Sequence, residues 1–385
     1  MIDQLKQWIE ANREKIEATY HELHGLAEVS WKEHRSTAYL CRELEAMGIA
    51  YETFPDITGV IAYVGEEEAT PVVGLRADMD ALWQLVDGNW QANHSCGHDA
   101  HMTMALHALR CVKELGFEPQ GRLKVIFQPA EETGEGARTL VQHGVIDDLD
   151  HLIGIHVRPY FEVPSGSASP AIRHGAISQV RGKLKGEQAH AARPNLGTNV
   201  VDALSLLITA VNAVKVDPTT PMSAKVTMVK AGGDNLNIIP DEAQFGLDLR
   251  AQTNEAMEWL LARVLQAIEV AATANGAVVE LEPVMQLHAA VPNGEMEQLV
   301  ASAIAETLGE EKLAPAPVTP GGEDFHCYAV EKPGLATTMI GLGTGLSPGL
   351  HHPQMRFDLG TLANGVAVMA ASAIKLLGHA PENNS

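Results

Sequence analysis

Five side chains of metal-ligand type stand at the ends of apolar runs or at the start of a predicted helix. They are Cys96 and His98 in NHSCGHDAH, Glu132 in QPAEETGEG, His156 in GIHVRP and His351 in GLHHPQ. A second carboxylate, Glu131, adjoins Glu132. Thiolate, imidazole and carboxylate converging beside a spare acid are the equipment of metal-assisted hydrolysis, in which a cation activates water and a base takes its proton. Gly97 lets the chain bend so that Cys96 and His98 can face one ion, and a cation lowers the thiol pKa enough for it to ligate. In Glu131-Glu132, adjacent carboxylates of an extended segment point apart, so one can ligate while the other holds water.

Each residue has a blander reading. Cys96 and His98 would otherwise be a buried thiol and a helix-opening imidazole, and the acid pair would be two exposed carboxylates. Pro129 and the apolar run before Glu131 favour a pocket rim. Asp99 can cap the helix that follows, and His101, one turn after His98, reads as structural or as a support for the ligands. His190 in GEQAHAARPNLGTN is either a donor to a substrate oxyanion, from a lid or a second subunit, or a solvated loop histidine. Asn237 in NIIPDE is a loop donor, and Arg250 in GLDLRA either grips a substrate carboxylate or pairs on the surface.

These residues must be positioned by a sheet. The runs 59–64, 71–75, 123–127 and 152–155 read as strands, and residues 98–115 as a helix with Met102, Ala105, Leu106, Leu109 and Val112 on one face. Residues 1–48 carry helical spacing that Gly48 closes. Strands alternating with helices predict a βαβ-type sheet covered on both faces. Ligands of such sheets bind beyond the carboxyl ends of the strands. Residues 125–127 run there into Glu131 and Glu132, 153–155 into His156, 339–342 into the loop holding His351, and 72–75 into Asp78 and Asp80.

Near residue 175 the texture changes to half-exposed alternation. Strands at 178–186, 224–229, 243–249 and 278–281 with helices at 199–214 and 255–275 give a β-α-β-β-α-β order, that of a split βαβ sandwich. After about residue 290 the first texture returns, with helices at 295–308 and 359–377, a strand at 335–342 and a Gly-rich loop to His352. The boundaries follow: residues 1–174 and 286–385 form the larger domain, and 175–285 an insertion. The tail after Gly378 is expected to fray.

At 385 residues the chain is long enough for two domains, and 45% hydrophobic with 20% charged residues is ordinary for a globular protein. A formal charge of −22 argues against nucleic-acid and anionic-membrane partners. The charged, helical N-terminus resembles no targeting segment, and no long uninterrupted apolar run predicts a membrane span. Cys41, Cys96, Cys111 and Cys327 follow no disulfide spacing and read as thiols of a cytoplasmic protein. GGEDF and GLGTG lack the strand–turn–helix context of a phosphate cradle.

The motifs GLRADMDAL, HSCGHDAH, FQPAEE, GIHVRP, HAARP, NIIPD, GGEDF and LHHP, in this order, resemble those of the M20 metallopeptidase family. The resemblance is to its amidohydrolase branch: hippurate hydrolases, N-acyl-amino-acid aminoacylases and hydrolases of auxin–amino acid conjugates. The stretch from Ala81 to His94 looks most like the bacterial AmhX-type members. The resemblance implies a zinc-peptidase-like three-layer α/β catalytic domain with an inserted α+β lid that dimerises. It implies two divalent ions per subunit, zinc first and manganese, cobalt or nickel as alternatives, held by Cys96, His98, Glu132, His156 and His351, with His352 as a rival for the last place. Glu131 would be the general base, His190 would act across a homodimer, and Asn237 and Arg250 would bind substrate. Where many relatives have H-x-D, this chain has Arg76-Ala77-Asp78, which removes one ligand and leaves Asp78 to orient others. The expected substrate is an N-acyl amino acid or short peptide. The alternative is a dipeptidase or carboxypeptidase of the same family.

Overall fold

The uninterrupted apolar runs form strands buried on both faces, as parallel sheets require. A computed structural model describes residues 1–378; the tail after Gly378 lies outside them. The chain folds as two compact units, one of Met1–Arg173, Val291–Val318 and Asp324 onward, the other of His174–Ala290 with Thr319–Glu323.

In chain order the helices are α1 (Ile2–Ala11), α2 (Arg13–His24), α3 (His34–Ala46), α4 (His98–Glu114), α5 (Gly136–Gln142), α6 (Val200–Asn212), α7 (Asn254–Ala274), α8 (Gly294–Leu308), α9 (His326–Glu331) and α10 (Leu362–Leu377). The strands that build the two main sheets and one hairpin are β1 (Ala50–Thr53), β2 (Val60–Val64), β3 (Val72–Asp78), β4 (Leu82–Val86), β5 (Asn89–Asn93), β6 (Arg122–Gln128), β7 (His151–Pro159), β8 (Ala168–Ser169), β9 (Ala176–Lys185), β10 (Met222–Ala231), β11 (Glu242–Ala251), β12 (Val278–Leu281), β13 (Met285–Leu287) and β14 (Ala336–Leu346).

The first unit is built on a sheet of order β1-β2-β6-β3-β7-β14-β8. Its centre, β6-β3-β7-β14, is parallel, and the flanking strands are antiparallel. Side chains alternate across the sheet. Val73, Leu75 and Ala77 face a core shared with α4, α8 and α10, while Ile126, Leu152 and Met339 face α5 and α9. That is the expected three-layer α/β arrangement. The apolar helix α10 is the buried core of this unit, and its composition would suit a membrane as well.

The second unit has the predicted β-α-β-β-α-β order, with sheet order β10-β11-β9-β12 and β13 also pairing with β9. One face packs on α6 and α7 through Val180, Leu184, Phe245, Leu247, Leu207, Leu260 and Val264; the alternate residues stay half-exposed or exposed.

Two local expectations change, and one segment left without an element gains one. Strand β7 does not end before His156 but runs on to Pro159. Gly343 and Gly345 lie within β14 rather than in the loop: a Cβ at Gly343 would stand 2.0 Å from the Pro164 carbonyl oxygen, so glycine admits a close neighbouring backbone. The segment after Ala81 forms a hairpin, β4 and β5, around an Asp87-Gly88 turn with φ of +49° and +85°.

Candidate metal centre

The carboxyl ends of the parallel strands deliver the polar groups. After β6, Ala130 takes φ +55°, and Glu131 and Glu132 enter a turn instead of continuing extended. That turn is tied down from both sides. Glu33, fully buried, accepts from the Ala130 amide at 2.9 Å. The Asp80 carboxylate accepts from the amides of Glu131 (3.1 Å) and Glu132 (3.0 Å). The two glutamates therefore do not point apart: Glu131 Oε2 and Glu132 Oε1 each lie 3.9 Å from His98 Nε2.

His98 opens α4. Gly97 before it has φ +89°, and a Cβ there would meet Val157 at 2.5 Å, so the Cys96-Gly97-His98 bend needs glycine. Asp99 sits inside the first turn and does not cap the helix; its carboxylate meets His24 Nδ1 at 2.7 Å. His156 projects from β7 beyond the last pairing with β3, Arg76 opposite Gly154. Its Nδ1 donates to the Val157 carbonyl at 2.7 Å, which leaves Nε2 as the acceptor, 3.6 Å from Cys96 Sγ. His351 reaches the same thiol from the loop after β14, with Nε2 3.3 Å from Sγ and 3.5 Å from Glu132 Oε1. His352 is exposed, and its Nδ1 accepts from the Gln354 amide.

Two candidate cation positions share Cys96. One is formed by Cys96, His98 and His156, the other by Cys96, Glu132 and His351, and within each the ligand atoms lie within 4.8 Å of one another. The donor set fits a cation on structural grounds. His98 Nε2 and Glu132 Oε1 are buried with no hydrogen-bond partner among the described residues, which a protein interior seldom leaves without compensation. Electrostatics agree. Burial pushes the Glu132 carboxyl up to about 7, with Asp80 adding and His98 opposing. Burial and Glu132 push the Cys96 thiol well up. Burial opposes charging of His98, but Asp78, Cys96 and Asp80 outweigh it and hold the imidazole well above its usual range. The cluster is short of positive charge.

Asp78 is bound elsewhere. Its Oδ1 lies 2.6 Å from His101 Nδ1, and its Oδ2 accepts from Arg76 Nη1 at 2.6 Å. His101 Nε2 accepts from the Val157 amide at 3.0 Å, so both of its nitrogens are spent. Burial raises the Asp78 pKa, but His98, His101 and Arg76 prevail and hold it well below the usual carboxylate range. Arg76, fully buried, also donates to Gln128 (2.8 Å) and Asp324 (2.7 Å). Gln128 and Asp324 are the residues that sequence reasoning did not single out; Asp80 and Arg76 it named at the strand end without their partners. The available signal was the two-residue spacing of Asp78 and Asp80 at a strand end.

The remaining three lie in the second unit. His190 is exposed in a two-residue strand, Ala189–His190, that pairs with Ile238–Ile239. Its Nδ1 accepts from the Ala192 amide at 3.1 Å, which leaves Nε2 as the protonated nitrogen. The Asn237 carbonyl accepts from the Ala191 amide, and its side chain is exposed. Arg250 makes a two-pronged pair with Asp248 at 2.7 and 2.9 Å, the surface pairing that was its blander reading.

The profile of peptidase family M20/M25/M40 matches residues 74–375. The Arabidopsis thaliana IAA-amino acid hydrolase ILR1-like 5 is 30% identical over 370 residues, covering 92% of this chain and 85% of that protein. The N-acetyl-L-cysteine deacetylase of Bacillus subtilis is 29% identical over 367 residues, covering 92% and 86%. Among solved structures, a Bacillus subtilis dinuclear metal-binding peptidase of the M20 family superposes with a TM-score of 0.80 at 25% identity, covering 96% of this chain and 99% of that one.

Proposed function

This chain belongs to peptidase family M20/M25/M40 and is a metal-dependent amidohydrolase, and from that premise we propose that it cleaves the amide bond of N-acyl amino acids such as N-acetyl or N-benzoyl derivatives. The convergence of Cys96, His98, Glu132, His156 and His351 with the carboxylate of Glu131 at one sheet end carries this reading. The five would hold two divalent ions, with Cys96 common to both positions. A thiolate with three imidazoles suits zinc first, then manganese, cobalt or nickel, ahead of magnesium or calcium. When bound, the ions act as Lewis acids that lower the pKa of water and polarise a carbonyl.

The chain supplies the rest. Glu131 accepts the proton of the attacking water and returns it to the leaving amine. Its carboxylate is held for this by the Asp80 grip on its amide. Asp78 fixes the ring of His101 and, with Arg76, shapes the floor beneath His98. His190 donates its Nε2 proton to the oxyanion of the tetrahedral species, reaching it from the second copy of a homodimer formed through the inserted unit. Asn237 and Arg250 bind the substrate, Arg250 after exchanging Asp248 for a substrate carboxylate. The four cysteines are free, in keeping with a cytoplasmic enzyme.

The test is a panel of N-acetyl and N-benzoyl amino acids and free dipeptides, assayed with Zn²⁺, Mn²⁺, Co²⁺ and Ni²⁺ and blanked with Glu131→Gln. Turnover of acylated amino acids above dipeptides is expected. The reverse preference assigns a dipeptidase, and no turnover of either with metal bound rejects the reading.

A further inference from the structure

Four of the five candidate ligands are set by regular structure or its immediate ends: β7, the start of α4 and the pinned turn after β6. His351 has no such support. It lies in the loop after β14, half-exposed, with φ +63°. A non-glycine residue pays for that conformation unless its surroundings impose it.

The hairpin imposes it. Gln84 on β4 donates from Nε2 to the His351 carbonyl at 2.8 Å. Gln84 Oε1 accepts from Asn93 Nδ2 at 3.0 Å and Ser95 Oγ at 2.8 Å. The His351 amide donates to the Ser95 carbonyl at 2.7 Å, and Asn93 Nδ2 also donates to the Pro353 carbonyl at 3.0 Å. The loop is thus held at 351 and 353 by the strand that leads straight into Cys96. Both amide orientations follow from this network, because the carbonyls of His351 and Pro353 can only accept. A side chain that donates at one end and accepts at the other is required at position 84. The opposite hairpin face presents exposed Trp83, Leu85 and Trp90, which take no part.

We propose that Gln84 is the positioning residue for His351, and that the hairpin tunes metal affinity at the Cys96–Glu132–His351 position. The proposal rests on the reading of His351 as a ligand. Gln84 touches no candidate ligand atom and acts through the backbone of its neighbour. Glutamate at 84 keeps the acceptor for Asn93 and Ser95 but removes the donor and sets a carboxylate against a carbonyl oxygen.

The experiment is titration of the metal-free enzyme with Zn²⁺ by calorimetry. Wild type is expected to take up two ions. Gln84→Glu should weaken one of the two steps ~10–100-fold, the usual cost of losing a group that orients a ligand, and leave the other unchanged. Trp90→Ser, on the outward face, should match wild type in both. Gln84→Lys lacks the acceptor for Asn93 and Ser95 and should weaken the same step, while the unchanged other step and an unaltered circular-dichroism spectrum guard against misfolding as the cause. In a His351→Ala background Gln84→Glu should add nothing, as a residue acting only through His351 requires. Unchanged affinities in Gln84→Glu, or an equal loss with His351 already removed, overturn the clamp while the ligand reading stands. Metal uptake by His351→Ala equal to that of wild type overturns both.

Discussion

The two units carry similar chemical groups in opposite settings. In the first, His98, His101, Asp78, Asp80 and Arg76 are buried, and each is held by at least one short hydrogen bond. In the second, His190 is exposed on a two-residue strand and Asn237 in a turn, and Arg250 pairs with a carboxylate on its own strand. A buried polar group without a partner costs roughly 1–3 kcal/mol, so the first unit shows which atoms are committed and, by subtraction, which are reserved. The groups of the second are open to solvent, which can satisfy whatever the protein leaves, so no atom there is singled out by burial.

The contrast can be broken experimentally. Glu131→Gln should lower kcat by ~10²–10⁴ while both metals remain bound, read by steady-state kinetics beside metal analysis; a loss below tenfold would remove Glu131 as the base. Arg76→Met should shift the urea unfolding of the first unit by about 3–5 kcal/mol, because Asp78 and Asp324 would be left buried without their cation. Arg250→Met should cost under about 1 kcal/mol by the same measurement, since its partner is only part-buried; equal costs would erase the distinction between the units. His190→Ala should reduce turnover ~10²-fold with metal content and melting temperature unchanged, as loss of an oxyanion donor does. Retained turnover would make His190 a solvated loop residue.

The smallest effect concerns pH. The hydrogen bond that His24 donates to the Asp99 carboxylate raises its pKa above the ordinary 6.5, with burial opposing. The stabilisation is complete below pH 6.5 and is lost as pH rises through the folded-state value. His24→Gln should therefore lower the melting temperature more at pH 6 than at about pH 9. An offset independent of pH would show that the pair carries no charge.

Much of this was legible early because periodicity and strand-end position are local. Glu132, His156 and His351 come from the turn after β6, from β7 and from the loop after β14, and these strands are parallel members of one sheet, whereas Cys96 and His98 come from the turn between the antiparallel hairpin and α4. The βαββαβ order of the inserted unit was equally plain from alternation. The turn at Glu131 was not, since Glu33 and Asp80 impose it from 98 and 51 residues away. Nor was the grip on His351, which needs Gln84 at a sequence distance of 267. The Asp87-Gly88 pair, by contrast, is a local signal of the hairpin turn.

By itself the sequence determined the repertoire: which donors exist, which strands run toward one edge, and that two carboxylates, Glu131 and Glu132, stand side by side. Tertiary structure alone decided commitment. It spent Asp78 and His101 on each other, turned Glu131 and Glu132 toward the same imidazole, and brought His351, not His352, against the Cys96 thiol. The physical reason is that hydrogen-bond satisfaction in a buried site is settled jointly by residues from distant segments, and no local pattern records which partner each will find.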